Sequence, residues 1–340
     1  MIKIREMEEG ESARWDDFVI SNPDSDYTHL YRWKNVFEES YSLKTKYLGI
    51  FNDDILIGLM PTVSIKYPFR KTISFSLPYL NYSGLICNDH YEEELLLKEI
   101  LNYLLNKKIA GIEIRELSKK NGIGENVTLK LSLPSKAEVL WESFKPKVRN
   151  QIRKAEKAGI TIKWGVNHLD DFYKVYSRNM HDLGTPVHGR RFFECIIGNF
   201  PQYVNLLTAF KENKPVASML IMKFRDRISD PWASSLKEYL EFCPNMLMYW
   251  EALKFGVQYG FKEFDFGRSQ VGSGTYNFKT QWGSVPVWLK YKKISVEGES
   301  DLTSTSFYKK ESAQYFTSGW KILPGFLTDH LGPLLRKYLP

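Results

Sequence analysis

The sequence predicts an α/β protein, in the α+β sense, made of two similar halves that are each a mixed β-sheet flanked by helices. Three observations carry this. At 340 residues the chain exceeds a typical single domain. Its 43% hydrophobic and 15% aromatic content can fill two cores. The order hairpin, strand, helix, strand is written twice, as in an internal duplication. Hairpins mixed with helix-connected strands favour a mixed sheet over an all-parallel one.

In the first half, Trp15, Phe18 and Val19, then Tyr31, Trp33, Val36, Phe37 and Tyr41, recur at helical spacing around a turn at Asn22-Pro23-Asp24. Apolar segments at 47–51 and 55–64 flank the acidic turn Asn52-Asp53-Asp54 and read as a hairpin. A strand at 73–77, a helix at 92–106 and a strand at 111–117 follow.

The second half repeats the plan. A hairpin at 204–210 and 216–224 turns at Glu212-Asn213-Lys214-Pro215, and a strand surrounds Trp232. A helix at 245–259 has Asn245 as its N-cap and Leu247, Trp250, Leu253 and Val257 as its buried stripe. A strand at 263–266 closes the repeat. The halves meet near Leu133-Pro134-Ser135. This gives a first domain at 1–134 and a second at 135–299, which opens on a basic linker helix at 138–158. The segment 296–306, rich in Ser, Glu, Asp and Thr, reads as a loop. The tail, taken as 300–340 with this loop, has its Leu, Ile and Phe residues interrupted by Pro324, Gly325, Gly332 and Pro333, so it is expected in short pieces. These pack on the body or lie against a membrane surface.

The net charge of +7 favours anionic partners such as tRNA, nucleotide-linked sugars or an anionic membrane; nothing in the sequence calls for DNA. Cys87, Cys195 and Cys243 are odd in number and form no CxxC pair, and the histidines form no HExxH, so neither a disulfide framework nor a metal or other cofactor is expected. The first fifteen residues are charged and lack an apolar core, and no run reaches the roughly 18 apolar residues of a membrane span. The expected location is the cytoplasm.

Lys145, Arg149, Arg153 and Lys157 recur every four residues and stack on one helix face, while Val148, Ile152 and Ala155 mark another; Pro146 sits in the first turn. Like charges at this spacing repel, and a phosphate-bearing partner would offset the repulsion. The other reading is a solvated face.

The richest stretch is Phe264-Asp265-Phe266-Gly267-Arg268-Ser269, a Gly272-Ser273-Gly274 turn, then Tyr276-Asn277-Phe278-Lys279 and Trp282-Gly283. It reads as a strand ending at Phe266, a loose turn and a short ordered element, with an Arg and a Lys flanking a turn at a strand end, where α/β proteins hold ligands. These residues resemble the signature of FemABX-type transferases, which carry two acetyltransferase-like (GNAT-like) halves. They are most similar to the branch found near exosortase (PEP-CTERM) and exopolysaccharide gene clusters. The segment from Leu77 to Gly84 also resembles a family stretch, and the resemblance runs over nearly the whole chain.

The resemblance implies transfer of an amino acid from aminoacyl-tRNA to an amine of a nucleotide- or lipid-linked peptidoglycan or polysaccharide precursor, with the protein in the cytoplasm or peripheral at the inner face of the cell membrane. It implies that Lys279 stabilises the tetrahedral oxyanion and that Phe278 shapes the pocket beside it. Arg268 would bind a donor or acceptor phosphate, with Asp265 orienting Arg268 or a backbone amide. The stretch with His188, Arg190 and Arg191 would contribute to the acceptor cleft, with Trp232 and Tyr276 as further substrate contacts. Lys145, Arg149 and Arg153 would contact tRNA or precursor phosphates. The helical-hairpin arm that some relatives use for tRNA has no counterpart in the second half.

Two alternatives stand beside this. One is an acyl-CoA-dependent N-acyltransferase of the GNAT type acting on a nucleotide- or lipid-linked amino sugar. Against it, Lys237-Glu238-Tyr239-Leu240-Glu241-Phe242-Cys243-Pro244-Asn245 stands where a coenzyme A site needs a glycine-rich turn to present its amides. The other is a non-catalytic scaffold in which Lys279 and Arg268 are dispensable. No Ser-His-Asp set with usable spacing supports a hydrolase.

Overall fold

The computed structural model describes residues 2–69, 71–88, 90–118, 125–295, 298–301 and 310–340. The chain divides into two compact units: Met1–Gly124 with Trp288–Thr305 and Lys337–Pro340, and Glu125–Val287 with Ser306–Arg336.

The first unit runs β1 (Ile2–Glu6), α1 (Ser12–Ser21), α2 (Trp33–Tyr41), β2 (Lys44–Asn52), β3 (Ile55–Lys66), β4 (Thr72–Phe75), β5 (Ile86–Cys87), α3 (Glu93–Asn106) and β6 (Gly111–Leu117). Strand alternation sends β2 side chains to two cores. Tyr47 packs on Trp15 at 4.9 Å between ring centroids, whereas Leu48 joins Leu96, Ile100 and Leu104 of α3. Between β4 and β5 the chain makes tight turns, with Leu77 and Tyr79 at φ of 58° and 71°.

The second unit runs β7 (Asn126–Ser132), α4 (Ala137–Ser143), α5 (Pro146–Lys157), β8 (Thr161–Trp164), α6 (Leu169–Leu183), α7 (Arg190–Asn199), β9 (Val204–Lys211), β10 (Lys214–Phe224), β11 (Arg227–Ser235), α8 (Pro244–Gln258), β12 (Glu263–Gln270) and α9 (Gly274–Thr280). Its sheet is ordered β7-β12-β11-β10-β9-β8. Neighbours are antiparallel except β11 and β12, whose parallel pairing needs the α8 crossover between them. After α9 the chain returns to the first unit. There β13 (Val285–Ser295) pairs through Leu289–Ser295 with β6, and β14 (Gly298–Asp301) pairs with β13. The first sheet is thus β1-β2-β3-β4-β6-β13, with β5 on β3. The chain ends in α10 (Lys310–Ile322) and α11 (Gly325–Arg336).

Several expectations change. The strand at 263–266 continues to Gln270, because β7 pairs with it across a bulge between Asp265 and Arg268. The linker helix at 138–158 is two helices, broken where Phe144 turns extended ahead of Lys145 and Pro146. Asn245 is not the N-cap of α8: Cys243 caps it at φ 57°, and Pro244 takes the first turn, where its missing N–H costs nothing. In the loop expected at 296–306, the described residues 298–301 are β14; 296–297 and 302–306 lie outside the described residues. The tail expected in short pieces forms α10 and α11. Pro324 begins α11 rather than breaking it, its carbonyl accepting from the amides of Leu327 at 2.9 Å and Thr328 at 3.2 Å.

In α5, Val148, Ile152 and Ala155 are buried and the helix packs on α8, while Lys145, Arg153 and Lys157 are exposed and Arg149 is half-buried. Ile152→Ala should lower stability by about 2–5 kcal/mol through lost transfer and cavity energy. Arg153, whose guanidinium lies 5.3 Å from the Trp141 ring centroid, should cost about 1 kcal/mol or less on truncation. Urea unfolding of the two variants checks the contrast.

Candidate active site

The second sheet opens a fork between its two parallel strands. β11 and β12 pair at Arg227 with Glu263, Ile228 with Phe264 and Ser229 with Asp265, and then part. Irregularities on both sides produce the split. The β10–β11 register slips between Leu220 and Met222, opposite Asp230 and Pro231, and Pro231 has no N–H to offer a ladder. On the other side, β12 bulges against β7 at Gly267, whose φ of 73° suits glycine. Asp265 fixes that bulge: it is 2% exposed, and its Oδ1 accepts from the Gly267 amide at 2.7 Å and from the Thr128 hydroxyl.

The parting leaves β12 carbonyls for a side chain to use. Lys279 Nζ donates to Gly267 O at 3.1 Å and to Arg268 O at 3.0 Å. Its helix α9 is a short one, started by Ser273, whose hydroxyl accepts from the Tyr276 amide at 3.2 Å. The helix end is held by Ser284, whose hydroxyl donates to Lys279 O at 2.9 Å. On β11, the Asp230 carboxylate is 4% exposed and accepts from the Tyr249 hydroxyl of α8 at 2.5 Å. Tyr249 in turn stacks on Phe266 at 5.4 Å and meets Phe278 edge-on at 5.2 Å.

The electrostatics make these residues a unit. Burial raises the Asp230 carboxyl to about 7, against the lowering pull of the Lys279 ammonium and the Tyr249 hydrogen bond. Burial also lowers the Lys279 ammonium, against the charges of Asp230 and Asp265. Burial pushes both groups toward neutrality, and their attraction restrains both shifts. Burial raises the Tyr249 phenol well above its ordinary value, so it remains a donor. Around the opening, Ser269 Oγ, Asn245 Oδ1 and Trp282 Nε1 are buried atoms without a hydrogen-bond partner.

The connection from β11 to α8 is a 3-10 helix over Lys237–Phe242 followed by Cys243, with the amides of Tyr239, Cys243 and Met246 bonded to local carbonyls. It contains no glycine.

The residues singled out in the sequence fall into three groups. Asp265, Arg268, Phe278 and Lys279 gather at the fork; Tyr276 is half-buried on α9 beside them, and the Arg268 side chain is exposed. Trp232, two residues after Asp230, packs instead with His188, Phe192 and Phe193, the last at 5.5 Å. His188 is 1% exposed and its Nε2 accepts from Arg336 Nε at 3.1 Å. Burial and the Arg336 charge hold its pKa well below the ordinary value, so it is a neutral imidazole inside the protein. Arg190 is engaged by Asp170 at 2.7 Å and by Glu194, and Arg191 extends outward within 3.9 Å of Glu194. The third group, Arg149 and Arg153 on α5 and Lys145 at its N-cap, has no carboxylate paired with it among the described residues.

Asp230 and Tyr249 escape the sequence reading. One signal was present: Ile228, Asp230, Trp232 and Ser234 alternate onto the inward side of β11, and an Asp there is out of place. Tyr249 carries no such mark, since α8 is buried on nearly every side.

Residues 142–280 match the acetyltransferase (GNAT) domain family. No curated protein sequence matches the chain. Among solved structures, the chain is similar to the crystal structure of FemX, with a TM-score of 0.67 and 15% identity over 88% of this chain and 96% of that one. It is similar to L-PGS from Bacillus licheniformis, with a TM-score of 0.54 and 12% identity over 94% and 99%. A tandem GNAT protein from the clavulanic acid biosynthesis pathway gives 0.57 and 6% over 90% and 100%. These similarities show the fold. Together with the family match, they place a GNAT-like acetyltransferase domain at residues 142–280 of a chain with a tandem GNAT-like fold. Among the described residues no helix is long and apolar enough to cross a membrane.

The shift at Asp230 has a definite sign. Its folded pKa lies above its unfolded value, so the folded state holds the extra proton and stability falls as pH rises from about 4 to about 7. Over that window the loss is on the order of 4 kcal/mol for this group alone. Asp230→Asn, which can still accept from Tyr249, should flatten the decline. Urea midpoints across this range for both proteins measure it.

Proposed function

We propose that this acyltransferase moves an aminoacyl group from aminoacyl-tRNA to an amine of a nucleotide- or lipid-linked envelope precursor. The observation that carries the reading is the Lys279 ammonium, held by two carbonyls at the mouth of a parted pair of strands and tuned by buried Asp230. In the transfer, the amine nitrogen bonds to the ester carbonyl carbon, the C–O bond to the tRNA ribose breaks, and the amine proton leaves for the ribose oxygen. Lys279 places positive charge beside the oxyanion that develops on that carbonyl, with Phe278 next to it, held edge-on against Tyr249. Asp230 acts through Lys279 and Tyr249 as a positioning residue. Asp265 holds the Gly267 amide and so shapes the bulge that carries Arg268.

Substrate contacts are assigned to Arg268, Tyr276 and Arg191; Trp232 is buried against His188, Phe192 and Phe193 and supports them from inside. His188 and Arg190 are engaged by Arg336 and by Asp170 and Glu194, so the reading does not lean on them. The cations of α5 support a phosphate-rich donor, because like charges left unneutralised on one face are relieved by phosphates. An acyl-CoA donor is the second reading, favoured by the GNAT family match itself. The glycine-free turn before α8, with its amides used internally, weighs against it.

Titration with aminoacyl-tRNA and, separately, acetyl-CoA at two salt concentrations separates the readings. We expect tRNA to bind in a salt-sensitive way and Arg149→Glu/Arg153→Glu to weaken it. Binding of acetyl-CoA alone would give the second reading first place. Lys279→Met should reduce turnover roughly 10²–10³-fold in protein that remains folded. Unchanged turnover would remove Lys279 from the chemistry.

A further inference from the structure

We propose that α11 forms a docking surface for an anionic membrane. The helix packs on its own protein by its small and polar side and turns its large apolar side outward. On the inward side Thr328 and Gly332 are buried. A Cβ at Gly332 would fall 2.7 Å from Val187 Cγ1 and 2.9 Å from Val187 N, so the approach requires glycine. Asp329 faces α6, where Ser177 hydrogen-bonds it and His181 adds its charge.

At about 100° per residue, Phe326, Leu327, Leu331, Leu334 and Leu335 fall within one half of the helix circumference, with His330 among them. All are exposed, Phe326 by 71% and Leu334 by 62%. Ile322, at the end of α10, is 83% exposed and extends the patch. Isolated exposed apolar residues are ordinary, but a contiguous helix face of them marks a surface that is covered in use. The inward side cannot take these side chains by rotation of the helix, because Val187 already fills the space a Cβ would need.

Charge selects the occupant. No carboxylate lies on the outward arc itself; Asp329, the acid of this helix, is exposed at its edge, where it accepts from Ser177 of α6. Cations stand near it: exposed Lys321 at the end of α10, and exposed Arg191 on α7, which lies within 3.9 Å of Glu194 and whose preceding Gly189 lies against Pro333. An apolar arc with cations near it suits the boundary between anionic headgroups and acyl chains. A helix of 12 residues, about 18 Å long, would lie in that plane rather than cross it. This inference is independent of the donor and acceptor, because vesicle binding needs neither.

The experiment is cosedimentation of the full chain with phosphatidylcholine vesicles, with and without phosphatidylglycerol. We expect binding to the anionic vesicles only, weakened by added salt and by Lys321→Glu. Phe326→Ser/Leu334→Ser alters two exposed residues; it should keep the wild-type thermal midpoint and reduce binding roughly tenfold or more. The proposal is overturned if the wild type stays in the supernatant with both vesicles, or if the double variant binds as well as the wild type. It is also overturned if sedimentation velocity reveals a dimer that the same substitutions dissolve, since a second copy would then cover the face.

Discussion

A carboxylate and an ammonium share the buried fork of the second unit, and the local structure is arranged so that neither is left without a partner. Removing two charges from water costs several kcal/mol each unless every remaining valence is met. Asp230 is met by the Tyr249 hydroxyl and Lys279 by two carbonyls. Those carbonyls are accessible because the strands part after Ser229 and Asp265. The bulges, the positive φ of Gly267 and the buried Asp265 are therefore conditions for holding Lys279 in place. A short helix alone could not fix that side chain, and α9 is anchored at both ends, by Ser273 and Ser284.

The rest of the second unit surrounds this centre with different surfaces. Helix α8 supplies Tyr249 on one side and takes the apolar side of α5 on another, which leaves the α5 cations facing solvent. Helix α6 receives α10 and α11, and α11 spends its small residues on that contact. A basic helix and an outward apolar helix thus both arise from the same device. Each buries one side closely, and the composition of the other side sets what it can meet.

Periodicity made much of this legible, but only where local pattern and burial agree. The hairpins β2–β3 and β9–β10, the helix α3 and strand β6 fall where alternation and helical spacing place them. The stripe on α5 and the role of Pro146 were readable because both depend on neighbours within one turn. Features fixed by distant pairing were not. β12 reads as ending at Phe266 because Gly267 interrupts the pattern, yet β7, over a hundred residues earlier in the chain, holds it to Gln270. The tail helices are masked by prolines and glycines that serve as a helix start at Pro324 and a close contact at Gly332. Lys279 could be singled out by resemblance, whereas its partner Asp230 stands outside the residues that carry the resemblance. Its significance comes from burial, which no short window of sequence records.

The most direct test of the account is a carbon-13 NMR titration of the Asp230 side-chain carboxyl, in the wild type and in Lys279→Met. The account predicts a midpoint near 7 in the wild type, from burial opposed by the Lys279 charge, and a higher midpoint once that charge is removed. A wild-type midpoint in the ordinary carboxylate range, or one that stays put when Lys279 is replaced, would contradict it. Either result would mean that the two groups do not share a buried site.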